Sequence, residues 1–468
     1  MFAKQIYIGR RKQLLSNRLS GLALFLGNEE SPMNYPDNAY DFRQDSSFLY
    51  YFGLEQPGLA AVVDFDAGTA TIFGDDFTID DFIWRGPQPT IAGQSKAVGI
   101  DRTAPRSRLV DFLAEARRAG RRIHFLPPYR ADNALKLKRW LSVDPDRAAK
   151  KASVELIRAV AEQRAVKAPE EIAEIDRAVD VSTEMHVAAM RMVRPGISEA
   201  DIAAEVRRVA LASGGNIAFP IIATVHGETL HNHFHGNRLK KGDMFLLDAG
   251  AETAAGYAGD LSSTVPVDRK FTARQREIYE IALASHEAAA GALRPGINHL
   301  DVHLLACRTI VEGLKGLGLM KGDPDEAVRA GAHALFFPCG VGHMMGLDVH
   351  DMEDLGEVYV GYEGRPKFKQ FGLKSLRMAR PHKPGFVVTI EPGIYFIPQL
   401  IDLWRAEKRH ADFIVYDKVE KYRDFGGLRN EENFLITAKG RRRLGKAKPK
   451  TLAEVESVRA EPRLGAKK

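Results

Sequence analysis

Two short stretches decide the fold: GDMFLLDAG at 242–250 and GFVVTIEPG at 385–393. Each runs from a glycine through five mostly apolar residues to an acid, then to a second glycine two residues on. A short apolar run between turn formers reads as a buried strand. Both strands therefore end on a carboxylate, Asp248 in one and Glu391 in the other. A carboxylate beside a buried strand is costly to desolvate unless it is paired or metal-bound. A second echo lies upstream of each strand. HVAAMRMVRPGISEADI begins at His186 and HEAAAGALRPGINHLDV at His286, an offset of 100 residues. Each copy reads as helix, Pro-Gly break, helix. Matched halves bring matched strand ends together near a pseudo-twofold axis, so carboxylates arrive there from both sides.

More candidate ligands follow the same logic. Asp260 comes after GYAG, where Gly256 and Gly259 allow a tight return. Glu431 sits in GLRNEENFLIT, just before the apolar FLIT, and its neighbour Glu432 is an alternative. GHMMGLDVHD at 342–351 places His343 and His350 in a glycine-interrupted stretch that suits an extended chain better than a helix. Four carboxylates carry too much charge for one cation, and carboxylates bridge readily. With the His343 imidazole they point to two divalent ions, roughly 3.5–4 Å apart in such sites. Hard oxygen donors with one imidazole favour Mn2+, with Co2+, Zn2+ or Fe2+ as alternatives, and argue against a thiolate zinc site.

The 468 residues predict two domains. Residues 1–150 alternate strand and helix patterns and read as an α/β domain. SGLALFLG (20–27) is a buried strand, 59–76 a hairpin turning at Asp66-Ala67-Gly68, 109–120 a helix, and RRIHFLPPY a further strand. A helix at 151–164 is expected to link this domain to a catalytic domain at 165–440. Lys167-Ala168-Pro169-Glu170-Glu171 looks like a helix start, with proline in the first turn and acids at the positive end of the dipole. The net charge of +6 is concentrated after residue 440, where ten Lys/Arg face three Glu. The segment 441–468 is expected to be a solvated basic tail, and the near-neutral remainder carries no signature of nucleic-acid binding. No apolar run approaches the roughly 20 residues of a membrane span. The opening MFAKQIYIGRRKQLL lacks a signal-peptide apolar block, and two cysteines, Cys307 and Cys339, make no disulfide framework. A cytoplasmic location is the expectation.

Taken together, the motifs resemble the pita-bread metallopeptidases, the family of aminopeptidase P, prolidase, methionine aminopeptidase and creatinase. DAGAETAAGYAGDLSST resembles the family's two-aspartate strand pair, GHMMGLDVHD its histidine motif, TIEPGIY its first glutamate motif and GLRNEENFLIT its second. The amino-terminal FRQDSSFLYYFGLEQPG (42–58) resembles the amino-terminal, creatinase-like domain of aminopeptidase P and prolidases. The resemblance implies a C-terminal pita-bread domain with a pseudo-twofold internal repeat. It implies that Asp248 binds one metal, that Asp260 and Glu431 bridge both, and that His343 and Glu391 complete the second metal's shell. His231 in TLHNHFHG and His350 match the family's substrate-side histidines, and Arg429 an arginine near the metals. His233 and His235 read as strand neighbours of His231.

The activity implied is that of an Xaa-Pro aminopeptidase, which hydrolyses the bond before a proline at the second position of a peptide by means of a metal-bridging hydroxide. Glu391 would carry a proton to the proline nitrogen. An Xaa-Pro dipeptidase is the alternative, and it would need a positive group for the product-side carboxylate. A non-catalytic binding protein on the same scaffold is a third reading. The family also implies a homodimer or homotetramer. Departures from the family pattern are a twelve-residue spacing between Asp248 and Asp260, Ser263 and Met345 in place of other residues, and Cys339 where a histidine is common. The segments 351–384 and 396–426 look long and are expected to shape the leaving side of the substrate.

Overall fold

The computed structural model describes residues 1–461. The chain divides into two compact units. The first comprises Met1–Arg164 together with Met352–Val360, and the second Ala165–Asp351 and the chain from Gly361 on. The helix placed as a linker, Val154–Ala165, thus runs to the division itself, and nine residues of the long 351–384 segment cluster with the first unit.

The first unit is built on a five-stranded mixed sheet, in the order Arg102–Ala104, Thr69–Phe73, Ala60–Asp64, Leu22–Leu26, Ile123–Phe125. The predicted hairpin is present, with Ala60–Asp64 antiparallel to Thr69–Phe73. Its turn is made by side chain as well as backbone. The Asp64 carboxylate accepts from the amides of Asp66 and Ala67, both at 3.0 Å. The 42–58 motif forms the helix Ser46–Phe52, capped by Asp45 and buried along its whole length. Its aromatics pack against Phe25 of the strand Leu22–Leu26.

The second unit contains the repeat. Helices Pro169–Met192 and Glu199–Ala212 belong to one half, Ala273–Ala292 and His299–Gly316 to the other. Pro169 takes the first helical position, and the Glu171 side chain accepts from the Ala168 amide, so the predicted start is realised. Each helix pair breaks at Arg-Pro-Gly-Ile, and each glycine, Gly196 and Gly296, has a positive φ that L side chains rarely adopt. The two breaks make the same contacts. Gly196 donates to the Leu239 carbonyl and the Leu239 amide to Ile197. Likewise Gly296 donates to His382 and His382 to Ile297. Nine residues after Leu239 comes Asp248, and nine after His382 comes Glu391.

Each half then supplies a three-stranded antiparallel sheet. Leu261–Pro266, Met244–Ala249 and Ile222–Thr224 form one; Val387–Ile390, Glu432–Ile436 and Arg441–Arg443 form the other. Pairing within each sheet sets an acid from a strand end beside an acid from the neighbouring strand's approach. Asp248 neighbours Asp260, and Glu391 neighbours Glu431.

The solvated-tail expectation is corrected as far as residue 461. Arg441–Arg443 is an edge strand, and Leu452–Ala460 is a helix with Val455 and Arg459 buried. The basic side chains are held by backbone and carboxylate acceptors of the second unit. Arg459 donates to the carbonyls of Met190, Pro266 and Val267, and buried Lys448 donates to Ser262 O at 2.7 Å. Arg442 pairs with Asp176, Lys446 with Glu184, and Lys450 with Glu432. The expected contribution of 462–468 lies outside the described residues. Among the described residues no helix is long and apolar enough to cross a membrane.

Candidate metal centre

The five residues read as ligands converge at one place in the second unit. The His343 imidazole lies 3.3 Å from an Asp260 oxygen and 3.6 Å from a Glu391 oxygen. Asp260, His343 and Glu431 each place a ligand atom within 4.8 Å of the other two, and all three are buried. Asp248 enters from the end of its strand and is held at 2.5 Å by Arg429.

Local structure explains each position. His343 lies in a loop beside the strand Val387–Ile390, next to the isolated bridge that Met344 makes with Val388, and not in a strand of its own. The glycine before it is required, because a Cβ on Gly342 would stand 2.0 Å from the Thr389 carbonyl oxygen. The same approach lets the Thr389 amide donate to His343 O and the Thr389 hydroxyl accept from the His343 amide. Asp260 is fixed by Asn433, which accepts from its amide and donates to its carbonyl. Glu431 accepts from Ser262 at 2.8 Å, and Ser262 in turn accepts from Arg429. Glu432, the alternative ligand, turns the other way along the chain. It is bound by Lys450 and Arg443, near His286.

The electrostatics are those of buried acids crowded beside a single arginine, Arg429. Asp248 Oδ1, Asp260 Oδ1 and Glu431 Oε1 are buried without a hydrogen-bond partner among the described residues. Burial, and then the neighbouring Asp248, push Asp260 up to about 8. Burial pushes Glu391 up to about 7, with His343 opposing. Glu431 is driven well above the carboxylate range by burial and then by Asp260. Uncompensated buried acids crowded in this way are destabilising unless a cation joins them. Oxygen-rich donors, orphaned oxygens and one imidazole form a set that fits divalent cations.

The two histidines expected on the substrate side, His231 and His350, are placed differently from one another. His350 stacks edge-on against His343, with ring centres 4.3 Å apart. His231 lies on a turn and loop, not on a strand, so His233 and His235 are not strand neighbours of it. The Asn232 side chain accepts from the Phe234 amide and donates to Thr224, replacing a strand ladder with a local turn. Partial burial, then the Arg429 charge, lower the His231 pKa, and Arg377 and His350 add to the effect. Sequence reasoning missed the supports around this centre. They are Tyr395, which accepts from Arg429 at 2.8 Å, Ser262, Asn433, and a fully buried Lys167–Asp351 pair at 2.7 Å next to His350. Ser262, Asn433, Asp351 and Tyr395 all lie inside the quoted motifs, but nothing in those motifs marked them as supports.

A family model for metallopeptidase family M24 matches residues 173–438. The chain belongs to metallopeptidase family M24. The amino-terminal part, residues 7–124, matches the model of the aminopeptidase P N-terminal domain. This M24 chain is 30% identical to the Xaa-Pro dipeptidase of Homo sapiens, across 94% of this chain and 88% of that protein. It is 29% identical to the Xaa-Pro aminopeptidase of Escherichia coli (strain K12), across 97% and 98%. Among solved structures, zinc-substituted E. coli aminopeptidase P in complex with product superposes with a TM-score of 0.79 at 28% identity, covering 98% of each chain. The Pseudomonas aeruginosa aminopeptidase PepP gives 0.80 at 27%, again over 98% of each. The M24 chain is therefore a peptidase with the two-domain architecture of aminopeptidase P.

Proposed function

We propose that this peptidase hydrolyses the bond between an N-terminal residue and a following proline, with two divalent cations held by Asp248, Asp260, His343, Glu391 and Glu431. The observation that carries the reading is the set of three buried carboxylate oxygens without partners beside His343. Asp260 and Glu431, which face each other across the repeat, are the residues assigned to both ions. Manganese is the first choice on this donor set, with Co2+, Zn2+ and Fe2+ as alternatives. Such ions, when bound, polarise a scissile carbonyl and make water nucleophilic near neutral pH.

The remaining work falls to side chains. Glu391, beside His343, is assigned to move a proton from the attacking water to the proline nitrogen, which must be protonated to leave. His231 and His350 are assigned to hydrogen-bond the oxygen on which charge develops. Arg429 holds Asp248 and Tyr395 in place, with its charge turned toward the acids.

A dipeptidase reading is favoured by one specific observation. The Arg377 charge contributes, after burial and Arg429, to lowering the His231 pKa, and we assign it as the positive group that a free product-side carboxylate needs. The test is hydrolysis of Ala-Pro-Ala beside Ala-Pro with Mn2+, with Glu391→Ala as control. Alanine released from the tripeptide and lost in the variant supports the aminopeptidase. Cleavage of the dipeptide alone makes it a dipeptidase, and cleavage of neither removes the proposal.

A homo-oligomer and a cytoplasmic location belong to the same proposal. Ile79, Ile83 and Trp84 of the first unit stand exposed on one short helix, and both cysteines are free thiols.

A further inference from the structure

Away from the carboxylates, a second group of metal-ligating side chains lies buried in the same unit. His303 and Cys307 are one turn apart on the helix His299–Gly316, so they share a face. His333 meets them from the 3-10 turn Ala332–Leu335. One ligand atom from each of the three lies within 4.8 Å of the other two, and all three residues are wholly buried. The histidines' remaining needs are unmet. Neither ring nitrogen of His333 has a hydrogen-bond partner among the described residues, and neither does Nδ1 of His303. The Val328 carbonyl is near His333 but outside hydrogen-bond geometry. The repeat does not require these residues. One hundred positions earlier, on the matching helix Glu199–Ala212, stand Ala203 and Arg207.

We propose that His303, Cys307 and His333 form a second metal site, for a thiophilic d10 cation, Zn2+ or Cu+, separate from the carboxylate centre. Two imidazoles and a thiolate are the donors such ions select. The geometry agrees on the edge that is defined. Metal–sulfur and metal–nitrogen bonds of about 2.3 and 2.0–2.1 Å at a tetrahedral angle put sulfur and nitrogen about 3.5 Å apart. The His303 Nε2 to Cys307 Sγ distance is 3.4 Å. The other edges close by rotation of the His333 ring, which no hydrogen bond holds. Burial keeps both imidazoles neutral, with His303 lowered to about 3 and His333 to about 4, so the nitrogen lone pairs are available. Burial also holds Cys307 as the thiol, helped by Cys339 nearby. Binding therefore breaks the S–H bond, forms the S–metal bond and releases one proton to solvent. Oxygen-preferring Mn2+ is not the cation this donor set selects, so the two sites sort their ions by donor type.

The experiment uses the full chain carrying Asp260→Asn and Glu431→Gln, which disables the carboxylate centre while preserving shape. After loading with Zn2+, or with Cu+ under reducing conditions, and dialysis, elemental analysis should find about one equivalent of one of them per chain. Co2+ in the same protein should give a thiolate-to-cobalt charge-transfer band. Cys307→Ala and, separately, His333→Gln should each abolish retention and the band, with circular dichroism verifying the fold. Absence of retained Zn2+ and Cu+ in the double variant overturns the proposal, as does full retention in both single replacements. If one replacement fails to fold, the other decides.

Discussion

Asn433 grips Asp260 at two points. Its side-chain oxygen accepts from the Asp260 amide at 3.1 Å, and its side-chain nitrogen donates to the Asp260 carbonyl at 2.6 Å. A strand of the second half thereby sets the backbone of a proposed ligand in the first. Asn433→Ala removes both bonds and leaves two buried backbone groups without partners. Partners behind a ligand of this kind are worth about 10–100-fold in metal affinity. Mn2+ titration by calorimetry should show a loss in that range, with a stability cost of roughly 1–3 kcal/mol by chemical denaturation. Unchanged affinity would mean that Asp260 is held by its own turn alone.

Arg429 is the positive charge that the crowded acids already possess. It binds Asp248, Ser262 and Tyr395, and it is buried. Replacing it with methionine leaves Asp248 without its cationic partner, at a cost of about 3–5 kcal/mol. Added Mn2+ should recover part of that loss, because a cation can take over the compensation. The measurement is the melting temperature of the parent and Arg429→Met, with and without Mn2+. A smaller metal-induced rise in the variant than in the parent contradicts this account.

Acid should weaken the second unit through its buried histidines. Burial, then the Lys448 charge, lower His186 to about 3, and burial lowers His286 to about 3 and His382 to about 4. Unfolded, each takes up a proton near pH 6.5, while the folded protein resists until pH 3–4. Their contribution is complete above pH 6.5 and declines as the pH falls through that window, by about 1.4 kcal/mol per pH unit for each group. The raised acids Asp260 and Glu391 act in the opposite direction in the metal-free protein. The histidine effect is therefore read as a difference. The stability gap between the parent and His186→Gln should be constant above pH 7 and shrink toward pH 4. A gap independent of pH would show that His186 titrates alike in both states.

The Arg377 reading makes a split prediction. Arg377→Ala should raise KM for Ala-Pro by roughly tenfold, the worth of one charge-assisted hydrogen bond. The kcat for Ala-Pro and both constants for Ala-Pro-Ala should change little. An equal loss on both substrates would place Arg377 with the general electrostatics of the cleft.

The repeat and the convergence of Asp248, Asp260, His343, Glu391 and Glu431 were legible because strand ends and glycine spacings are local patterns. Asp248 and Glu391 could be matched by counting. What holds them could not be. Ser262 meets Glu431 from 169 residues away, and Asn433 meets Asp260 from 173. A serine and an asparagine carry no signal until the sheets are assembled. The basic segment misled for a related reason. Lys448 and Arg459 look like surface residues until the fold brings the carbonyls of Ser262, Met190 and Val267 within their reach. TLHNHFHG alternates like a strand, yet the Asn232 side chain closes a turn there first.

The acids at the centre come in pairs, Asp248 and Asp260 from one half of the repeat, Glu391 and Glu431 from the other. Without a cation, Asp260 and Glu431 escape repulsion across the boundary between halves by keeping their protons. With one, the protons leave and the same oxygens are drawn to a common charge. The boundary is then the weakest seam of the unit or its tightest, and the free concentration of a small ion chooses which. A chelator would act on this protein as a denaturant aimed at a single surface.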